Sequence, residues 1–403
     1  MTNILELLKN EKVEWKKIQD ISKRIVSGGT PNRSNTKFYG GSIPWLRTQE
    51  VDFNEIYSTE LYITEEGLAN SSATLIEPNT IIVAMYGATA GKVALTKIPL
   101  TTNQACCNIE VNKEVIKYRY VYYWLVNNYK VLKSMGQGSQ SNINSSIIKN
   151  FPIPIPNLET QEKIVEILDK FTNYVIELQS ELQSRIKQYN YYRDMLLSEE
   201  YIKKITKDME ESLKQNNIKN EKLFKSISVE WKKLGEVCDI IRGVRVTKKE
   251  LLSKGFPVVS GGTGYMGYID KYNRESETIT IAQYGTAGYV NFQKEKFWAN
   301  DICFSVIPTE NINNKYLYYF LINKQEYLYE ISNRTATPYS ISKDKILNMN
   351  IFLPPLHVQQ HIVSILDKFD TLVHDIKVGL PKEIELRQKQ YEYWREQLLS
   401  FNR

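Results

Sequence analysis

The chain has 403 residues, of which 42% are hydrophobic and 24% are charged, and its formal net charge is +6. This length predicts two or three domains, and the composition excludes a collagen-like, an intrinsically disordered or a disulfide-framework protein. No run of about 18 apolar residues and no signal-peptide hydrophobic region occurs, so we expect neither a membrane span nor a secretory signal. The four cysteines have no paired spacing, which indicates reduced thiols and a cytoplasmic location. The positive charge favours an acidic partner.

The first half of the chain predicts a mixed α/β globular part followed by a long helix. Residues 80–85, 92–96 and 106–111 are typical of short strands, and a helix is predicted over about 117–133. After Pro156, apolar or aromatic residues recur in steps of four and three, which is a heptad pattern. The positions of this seam are Ile164, Leu168, Phe171, Val175, Leu178, Leu182, Arg185, Tyr189, Tyr192 and Leu196. About 40 helical residues would form a rod roughly 60 Å long.

The second half repeats this order after a highly charged segment, 199–228, that we interpret as a linker with some helix. Residues 278–283, 288–292 and 302–307 are predicted strands, and a helix is predicted over about 313–332.

A second heptad pattern occupies the C-terminal part of the chain. Its seam positions are Ile362, Leu366, Phe369, Val373, Ile376, Leu380, Ile384, Arg387, Tyr391, Trp394 and Leu398. Compared with the first seam, four extra residues lie around Gly379 to Lys382. Because an insertion of four locally unwinds a coiled coil and Pro381 removes a helix hydrogen bond, we predict a break or kink there. The simplest arrangement of two such rods in one chain is packing against each other.

These elements belong to a duplicated unit. Val-Glu-Trp-Lys-Lys begins at Val13 and recurs unchanged at Val229, 216 residues later. Residues 153–171 and 351–369 share 11 of 19 identities, and 189–198 match 391–400. A period of about 200 residues indicates duplication of whole domains rather than a solenoid. The predicted fold is α+β, with two mixed α/β domains, two long coiled-coil helices that pack against each other and an internal pseudo-two-fold. The predicted bounds are 1–157 for the first domain, 158–200 for its helix, 201–228 for the linker, 229–355 for the second domain and 356–403 for its helix.

Motifs for catalysis and for metal binding are incomplete. Residues 87–93 resemble a phosphate-binding loop, but only three residues separate the glycines, and Val93 stands where magnesium needs Ser or Thr. Residues 262–267 fit G-x-G-x-x-G, but a polar, turn-rich segment follows instead of a helix. His357 and His361 have the spacing of zinc ligands but no third ligand. We therefore expect no catalytic residue, no metal site and no cofactor bound by this chain.

Residues of the first globular part suit a nucleic-acid partner. Cations neutralise phosphates, and a Ser27-Gly-Gly-Thr-Pro31 turn would let the backbone approach one closely. The candidate residues are Lys16, Lys17, Lys23, Arg24, Ser27, Gly28, Gly29, Thr30, Arg33, Lys37 and Arg47. The uncharged segment 136–142 contributes Gln137, Ser139, Gln140 and Asn142, which are suited to base edges and equally to an ordinary surface loop.

The second globular part has its own set of candidates. Its cations are Arg242, Arg245, Lys248, Lys249 and Lys254, followed by the turn Ser260-Gly-Gly-Thr263. The counterpart of the amide-rich segment is 332–339, with the candidates Arg334, Thr335, Thr337 and Tyr339. Arg334 has the donor geometry to pair with guanine through two hydrogen bonds. The two segments share little sequence, as expected if each copy recognises different bases, although neutral drift gives the same result.

In these features the chain resembles the DNA-specificity subunit of type I restriction-modification enzymes. The resemblance covers essentially the whole chain. It rests on Trp15-Lys-Lys with Ser27-Gly-Gly-Thr-Pro31, Ile43-Pro-Trp45-Leu-Arg47, the Gly/Ser/Gln segment before Ile147, Ile155-Pro156 with Gln161, Gly379-Leu-Pro381-Lys-Glu383-Ile384, Gln390-Tyr-Glu-Tyr-Trp-Arg395 and Leu398-Leu399. The second copy departs from the pattern at Arg242-Gly-Val-Arg245, which stands where a Gly-Gly-Thr-Pro turn would be.

The resemblance implies two target-recognition domains, each reading a short half-site of double-stranded DNA. It also implies that the long coiled-coil helices are antiparallel and set the gap between the half-sites. Methyltransferase (modification) subunits would dock and flip out an adenine, and a restriction and motor subunit would join for cleavage. S-adenosylmethionine, ATP and Mg would belong to those partners.

Three alternatives remain open at this stage. The chain would otherwise be a helical-hairpin scaffold that binds proteins without DNA, the specificity subunit of a type II-like methyltransferase-nuclease, or an enzyme itself.

Overall fold

The structure, a computed structural model, describes residues 8, 11–136, 142–215, 229–335, 337–375 and 377–401. The chain divides into two compact units. Unit 1 comprises Met1–Leu178 with Ile384–Arg403, and unit 2 comprises Gln179–Glu383. Each unit therefore combines one globular part with segments of both heptad regions.

Unit 1 contains three sheets. Its strands are β1 (Glu14–Lys17), β2 (Ser22–Ser27), β3 (Tyr39–Leu46), β4 (Glu55–Ile56), β5 (Leu61–Ile63), β6 (Ile81–Ala84), β7 (Val93–Thr96), β8 (Thr101–Thr102), β9 (Cys106–Val111) and β10 (Pro152–Ile155). Its short helices are α1 (Glu65–Ala69), α2 (Tyr118–Asn127), α3 (Tyr129–Ser134) and α4 (Ser145–Lys149). The sheet orders are β2-β9-β6-β7-β4, β5-β3-β8 and β1-β10. Every residue of β6 and β7 is buried, as their almost wholly apolar sequences require.

Unit 2 repeats these three sheets. Its strands are β11 (Glu230–Lys233), β12 (Cys238–Arg242), β13 (Phe256–Val259), β14 (Tyr265–Ile269), β15 (Thr278–Ala282), β16 (Val290–Gln293), β17 (Trp298–Ala299), β18 (Cys303–Pro308) and β19 (Asn350–Leu353). Its short helices are α7 (Leu234–Val237), α8 (Asn314–Asn323), α9 (Gln325–Ile331) and α10 (Lys343–Leu347). The sheet orders are β12-β18-β15-β16, β14-β13-β17 and β11-β19. Among the described residues, β4 of unit 1 is the only strand of the three sheets without a counterpart.

The long helices are α5 (Leu158–Leu196), α6 (Glu199–Gln215), α11 (Leu356–His374) and α12 (Leu380–Leu398). All described seam positions are buried or half-buried, which confirms the heptad prediction; Ile376 lies outside the described residues. In unit 2, Tyr189 contacts His374 and Tyr192 stacks on Phe369, so α5 and α11 are antiparallel. Helix α6 falls within the predicted linker and buries Ile202 and Thr206.

The C-terminal heptad region is broken as predicted, but the break lies before Pro381. Helix α11 ends at His374, where the Asp375 carboxylate accepts the backbone N–H groups of Lys377 (2.7 Å) and Val378 (3.3 Å). Pro381 is the second residue of α12, a position where a missing N–H breaks no helix hydrogen bond.

The other predicted elements are present with small shifts. All six predicted strands are confirmed as β6, β7, β9, β15, β16 and β18. The helix predicted over about 117–133 is the pair α2 and α3, and the helix predicted over about 313–332 is the pair α8 and α9. The pairs are separate because Asn128 and Lys324 leave helical geometry. No helix in the described ranges is both long and apolar enough to cross a bilayer.

Candidate nucleic-acid interface

In unit 1, the candidate residues converge on one end of the five-stranded sheet. Strands β2 and β6 end there and β9 begins there, because Ser27 pairs with Cys107 and Ala84 pairs with Cys106. The turn after β2 and the loop between β6 and β7 both start at this end. The Ile143 N–H donates to the Met85 carbonyl (2.9 Å), which brings the end of segment 136–142 to the same place. We call this the loop end of the sheet.

Gly28 and Gly29 lie where the turn packs against neighbouring backbone. Their N–H groups donate to the carbonyls of Cys106 (3.3 Å) and Thr102 (2.8 Å), so neither N–H is available to a phosphate. A Cβ on Gly28 would lie 2.1 Å from the Thr102 oxygen, and one on Gly29 would lie 2.2 Å from the Ala73 nitrogen. The glycines are therefore needed because two backbone segments approach closely here.

The rest of the turn is held by side chains from β3. The Trp45 indole donates to the Gly29 carbonyl (2.9 Å), and the Tyr39 hydroxyl donates to the Pro31 carbonyl (2.6 Å). Thr30 is hydrogen-bonded to Gln104. The Ile43-Pro-Trp45 motif thus fixes the shape of the turn.

The predicted cations of unit 1 fall into two groups. Lys23 and Arg24 lie towards the opposite end of β2, where the Arg24 guanidinium is 3.7 Å from Glu110, so the structure does not bring them to the loop end. Arg47 is also engaged, since it lies 2.6 Å from Glu60 and 4.0 Å from Glu50.

Arg33 and Lys37, which follow the turn, are open cations, meaning exposed cations whose side chains have no partner within the described ranges. Both are exposed, and neither side chain has a hydrogen bond or ion pair with another residue of the described ranges. They can therefore neutralise phosphates without first breaking an internal contact.

The segment 136–142 is described only at its ends. Gln137, Ser139 and Gln140 lie outside the described residues. Asn142 accepts the Gly87 N–H (3.1 Å) through its side-chain oxygen, so it fixes the β6–β7 loop. That loop, with Tyr86 44% exposed, was not predicted as part of the site. The sequence did contain a signal for this loop, because Tyr86-Gly87 and Ala90-Gly91 recur in the second copy as Tyr284-Gly285 and Ala287-Gly288.

Unit 2 has the same loop end. The N–H groups of Gly243 and Val244 donate to the carbonyls of Cys303 (3.0 Å) and Ala299 (2.8 Å), as those of Gly28 and Gly29 do in unit 1. A Cβ on Gly243 would lie 2.0 Å from the Asn300 oxygen. Arg242-Gly-Val-Arg245 therefore has the backbone of the Gly-Gly turn despite its different sequence.

The cations at this end of unit 2 also differ in availability. The Arg242 Nε donates to the Asp301 carbonyl (2.6 Å), whereas Arg245 and Lys248 are exposed and have no side-chain partner in the described ranges. Lys249 and Lys254 are exposed as well. Sequence analysis did not identify Arg274. Its guanidinium donates to Ser305 (2.9 Å) and to the Arg242 carbonyl (3.0 Å), and so links the turn to β18.

Segment 332–340 forms a closed loop beside this turn. Asn333 and Ser340 exchange backbone hydrogen bonds of 2.7 and 3.1 Å, and the Tyr339 carbonyl accepts the Gly285 N–H (3.1 Å). The exposed residues between them include the candidates Arg334, Thr335 and Thr337. Thr335 donates its hydroxyl to Asn333 (2.7 Å).

The turn Ser260-Gly-Gly-Thr263 belongs to the same surface. The Gly261 carbonyl accepts both the N–H (2.9 Å) and the hydroxyl (2.7 Å) of Thr286, so the β15–β16 loop is tied to this turn. The structure thus assembles four loops at the loop end of unit 2.

The cysteine thiols of the two sheets are buried. Burial raises the pKa of the Cys107 thiol to about 11 and that of the Cys303 thiol to about 12, so both are protonated at neutral pH and poor nucleophiles. No cluster of three or more His, Cys, Asp or Glu side chains suited to a metal occurs in the part of the chain that the structure describes.

Comparisons with known proteins agree with the duplicated architecture. A family model described as the type I restriction modification DNA specificity domain matches residues 10–188 and again residues 228–386. The specificity subunit of the Escherichia coli type I restriction enzyme EcoR124I/EcoR124II is 35% identical over 318 residues, 72% of this chain and 72% of that protein. A putative type I restriction enzyme specificity subunit of Haemophilus influenzae is 29% identical and covers 100% of this chain and 99% of its own.

A solved structure extends the agreement to the fold. The S subunit of the type I restriction-modification system of M. genitalium has a TM-score of 0.62 with 18% identity, covering 99% of both chains. The family match occurs once in each copy of the duplication and spans most of the chain. The chain therefore belongs to the family of type I restriction-modification DNA specificity proteins.

Proposed function

We propose that this chain recognises an asymmetric, two-part DNA sequence, one part through the loop end of each unit. The observation that carries the proposal is the repetition of one backbone arrangement with different side chains. Gly28 and Gly243 occupy the same hydrogen-bonded position, while the loops beside them differ in length, charge and sequence. A shared scaffold with different surfaces is suited to reading two different half-sites in the same manner.

The loop ends provide both kinds of contact that sequence-specific binding needs. Arg33 and Lys37 in unit 1, and Arg245 and Lys248 in unit 2, are open cations suited to phosphates. Amide, hydroxyl and guanidinium groups at Asn142, Arg334 and Thr337 are suited to base edges.

The chain itself supplies recognition, and partner subunits supply the chemistry. Methyltransferase subunits would methylate an adenine in each half-site, and a restriction subunit would cleave unmodified DNA. S-adenosylmethionine, ATP and Mg would be bound by those partners and not by this chain. The buried, protonated thiols and the incomplete motifs support this division, and such an assembly would act in the cytoplasm.

The paired helices would set the gap between the half-sites, since their length is fixed by the number of helical residues. Inserting four residues into α5, with four matching residues in the C-terminal heptad region, is expected to change the preferred gap while leaving both half-sites the same. An unchanged gap would contradict this role for the helices.

The experiment is co-expression with the methyltransferase subunit in an unmodified host, followed by genome-wide mapping of methylated adenines. We expect a single asymmetric motif with two parts and a constant gap. A stable complex that methylates nothing and binds no DNA would favour a protein scaffold instead. The purified chain alone, incubated with DNA and the three cofactors, is the control and should change no DNA.

A further inference from the structure

Arg334 stands out among the cations of the two loop ends because its guanidinium is exposed and yet held in place. It lies just inside the hydrogen-bonded pair Asn333 and Ser340, which closes the loop that carries it. Gly285 of the β15–β16 loop anchors the same loop by donating its N–H to the Tyr339 carbonyl (3.1 Å).

The guanidinium lies over two aromatic rings. The central carbon of Arg334 lies 5.1 Å from the ring centroid of Tyr329 and 5.5 Å from that of Tyr339. Its Nε donates to the Tyr329 carbonyl (3.2 Å). Aromatic stacking and one hydrogen bond thus orient the planar group without neutralising its charge.

The two terminal nitrogens of Arg334 are left for a ligand. Within the described ranges they form no hydrogen bond, and no carboxylate lies within 4.0 Å of the guanidinium. Arg47 and Arg242 differ, because the first is ion-paired with Glu60 and the second bonds to the Asp301 carbonyl. Arg334 therefore presents a preorganised pair of donors at the surface.

A guanidinium that is held in one orientation is suited to reading a base, whereas a mobile cation is sufficient to neutralise a phosphate. A phosphate also accepts paired hydrogen bonds from arginine, but reading one base at a fixed place in the groove benefits from a guanidinium plane that is already held. In the major groove, the O6 and N7 acceptors of guanine match the two donors of an arginine side chain. Adenine, cytosine and thymine lack this pair of acceptors.

We propose that Arg334 is a specificity-determining residue that reads one guanine, through O6 and N7, in the half-site bound by unit 2. This inference rests on the proposed function and adds the identity of one base to it. The corresponding segment of unit 1, residues 136–142, contains neither arginine nor lysine, so this type of guanine contact belongs to one half-site.

The first test maps methylated adenines for the co-expressed complex with Arg334→Ala, Arg334→Lys and Arg245→Ala. Arg334→Ala is expected to lose the requirement for one guanine in one half-site, by roughly 5- to 150-fold in preference, and Arg334→Lys, which keeps the charge and some donors but not the planar fork, should lose less. The other half-site should stay unchanged. Arg245→Ala, the matched control at the same loop end, should weaken methylation without relaxing any position.

The second test uses the purified complex and duplexes in which that guanine is replaced by 7-deazaguanine or inosine. The wild type should bind the 7-deazaguanine duplex more weakly, because N7 is missing, and bind the inosine duplex normally, because O6 and N7 remain. Arg334→Ala should not distinguish 7-deazaguanine from guanine. Tyr339→Leu should lose part of the discrimination because the ring over which Arg334 lies is gone.

Several outcomes would overturn the proposal. Full guanine preference in Arg334→Ala, or an equal loss on all DNA sequences in that variant with a reduced salt dependence, would assign Arg334 to a phosphate. A unit 2 half-site without guanine would refute it as well. If the wild-type complex has no two-part motif at all, the proposed function fails instead, and the two failures are therefore distinguishable.

Discussion

The loop ends of unit 1 and unit 2 have the same backbone arrangement, but different residues supply the hydrogen bonds that hold it. In unit 1 the indole that bonds to the turn carbonyl is Trp45 of β3, and it donates to Gly29 (2.9 Å). In unit 2 the indole is Trp298 of β17, the neighbouring strand, and it donates to Val244 (2.8 Å). In both units the turn carbonyl accepts a hydrogen bond from an indole, but the tryptophan that supplies it does not lie at equivalent positions of the sequence. The two copies of a duplicated domain can therefore keep the same backbone arrangement while the residue that stabilises it lies on a different strand in each copy.

The polarity of the sheets differs in the same way. In unit 1, Ile82 and Ala94 face each other in the register and belong to an apolar cluster. The equivalent pair in unit 2 is Thr280 and Asn291, and the Thr280 hydroxyl accepts a hydrogen bond from Gln293 (3.0 Å). The copies have therefore diverged beneath their loops as well as in them, which fits two surfaces that recognise different partners.

The largest expected effect tests what the copies share. Gly28→Ala and Gly243→Ala should each lower the free energy of unfolding by at least about 2 kcal/mol, because the new Cβ would collide with backbone atoms. Gly264→Ala is the matched control, since nothing lies within 4 Å of its Cβ position. Chemical denaturation measures all three. Wild-type midpoints for the first two would show that the turn does not need a close approach.

A smaller effect tests how the copies differ. Trp45→Phe leaves the Gly29 carbonyl without its donor in a buried setting, since Trp45 is only 2% exposed, and should cost about 1–3 kcal/mol. Trp298→Phe should cost less, because its hydrogen bond to Val244 is exposed and water can replace the donor. Thermal unfolding of the two variants measures the difference. Equal losses would contradict the role assigned to burial.

The contacts between the globular parts and the helices predict a pH dependence in unit 1. Arg119 binds both Asp169 (2.7 Å) and Glu55 (2.6 Å), whereas its counterpart Lys315 binds Asp367 alone (2.7 Å). Although burial opposes its ionisation, hydrogen bonds from Tyr57 and Arg119 and the charge of Lys97 lower the pKa of Glu55 below its ordinary value of 4.5.

Because the folded-state pKa of Glu55 is the lower one, its contribution to stability is present above pH 4.5 and is lost as the pH falls through the folded-state pKa. Glu55→Gln should therefore show a smaller drop in unfolding midpoint between pH 6 and pH 3 than the wild type. Denaturation curves across this range measure it. Parallel curves for the two proteins would argue against the pairing.

The smallest expected effect concerns the open cations. Arg33→Ala and Lys37→Ala should each weaken DNA binding on every sequence and reduce the slope of log K against log salt by about 1. Lys170→Ala is the control, because Lys170 is equally exposed but pairs with Glu166 on α5. Binding titrations at several salt concentrations measure the slope. An unchanged slope would remove the residue from the interface.

Sequence reasoning predicted the elements well because burial imposes periodicity. The apolar runs at β6, β7 and β15 and the heptad positions from Ile164 to Leu196 follow directly from which side chains face a core. It could not show that Gly28 and Gly29 are needed for internal packing, because a glycine needed for packing and one needed for ligand approach look the same in a sequence. The role of Arg274 was invisible, since its partner Ser305 is distant along the chain.

The sequence by itself determined the duplication, the paired heptad regions and the break near Pro381. These depend on local periodicity and on residues that cannot continue a helix. The tertiary structure alone decided which cations are available. Arg24, Arg47 and Arg242 are engaged internally, whereas Arg33 and Arg245 are open and Arg334 lies over two aromatic rings. The reason is that the availability of a side chain depends on which carboxylates, carbonyls and rings the fold brings within a few ångströms of it.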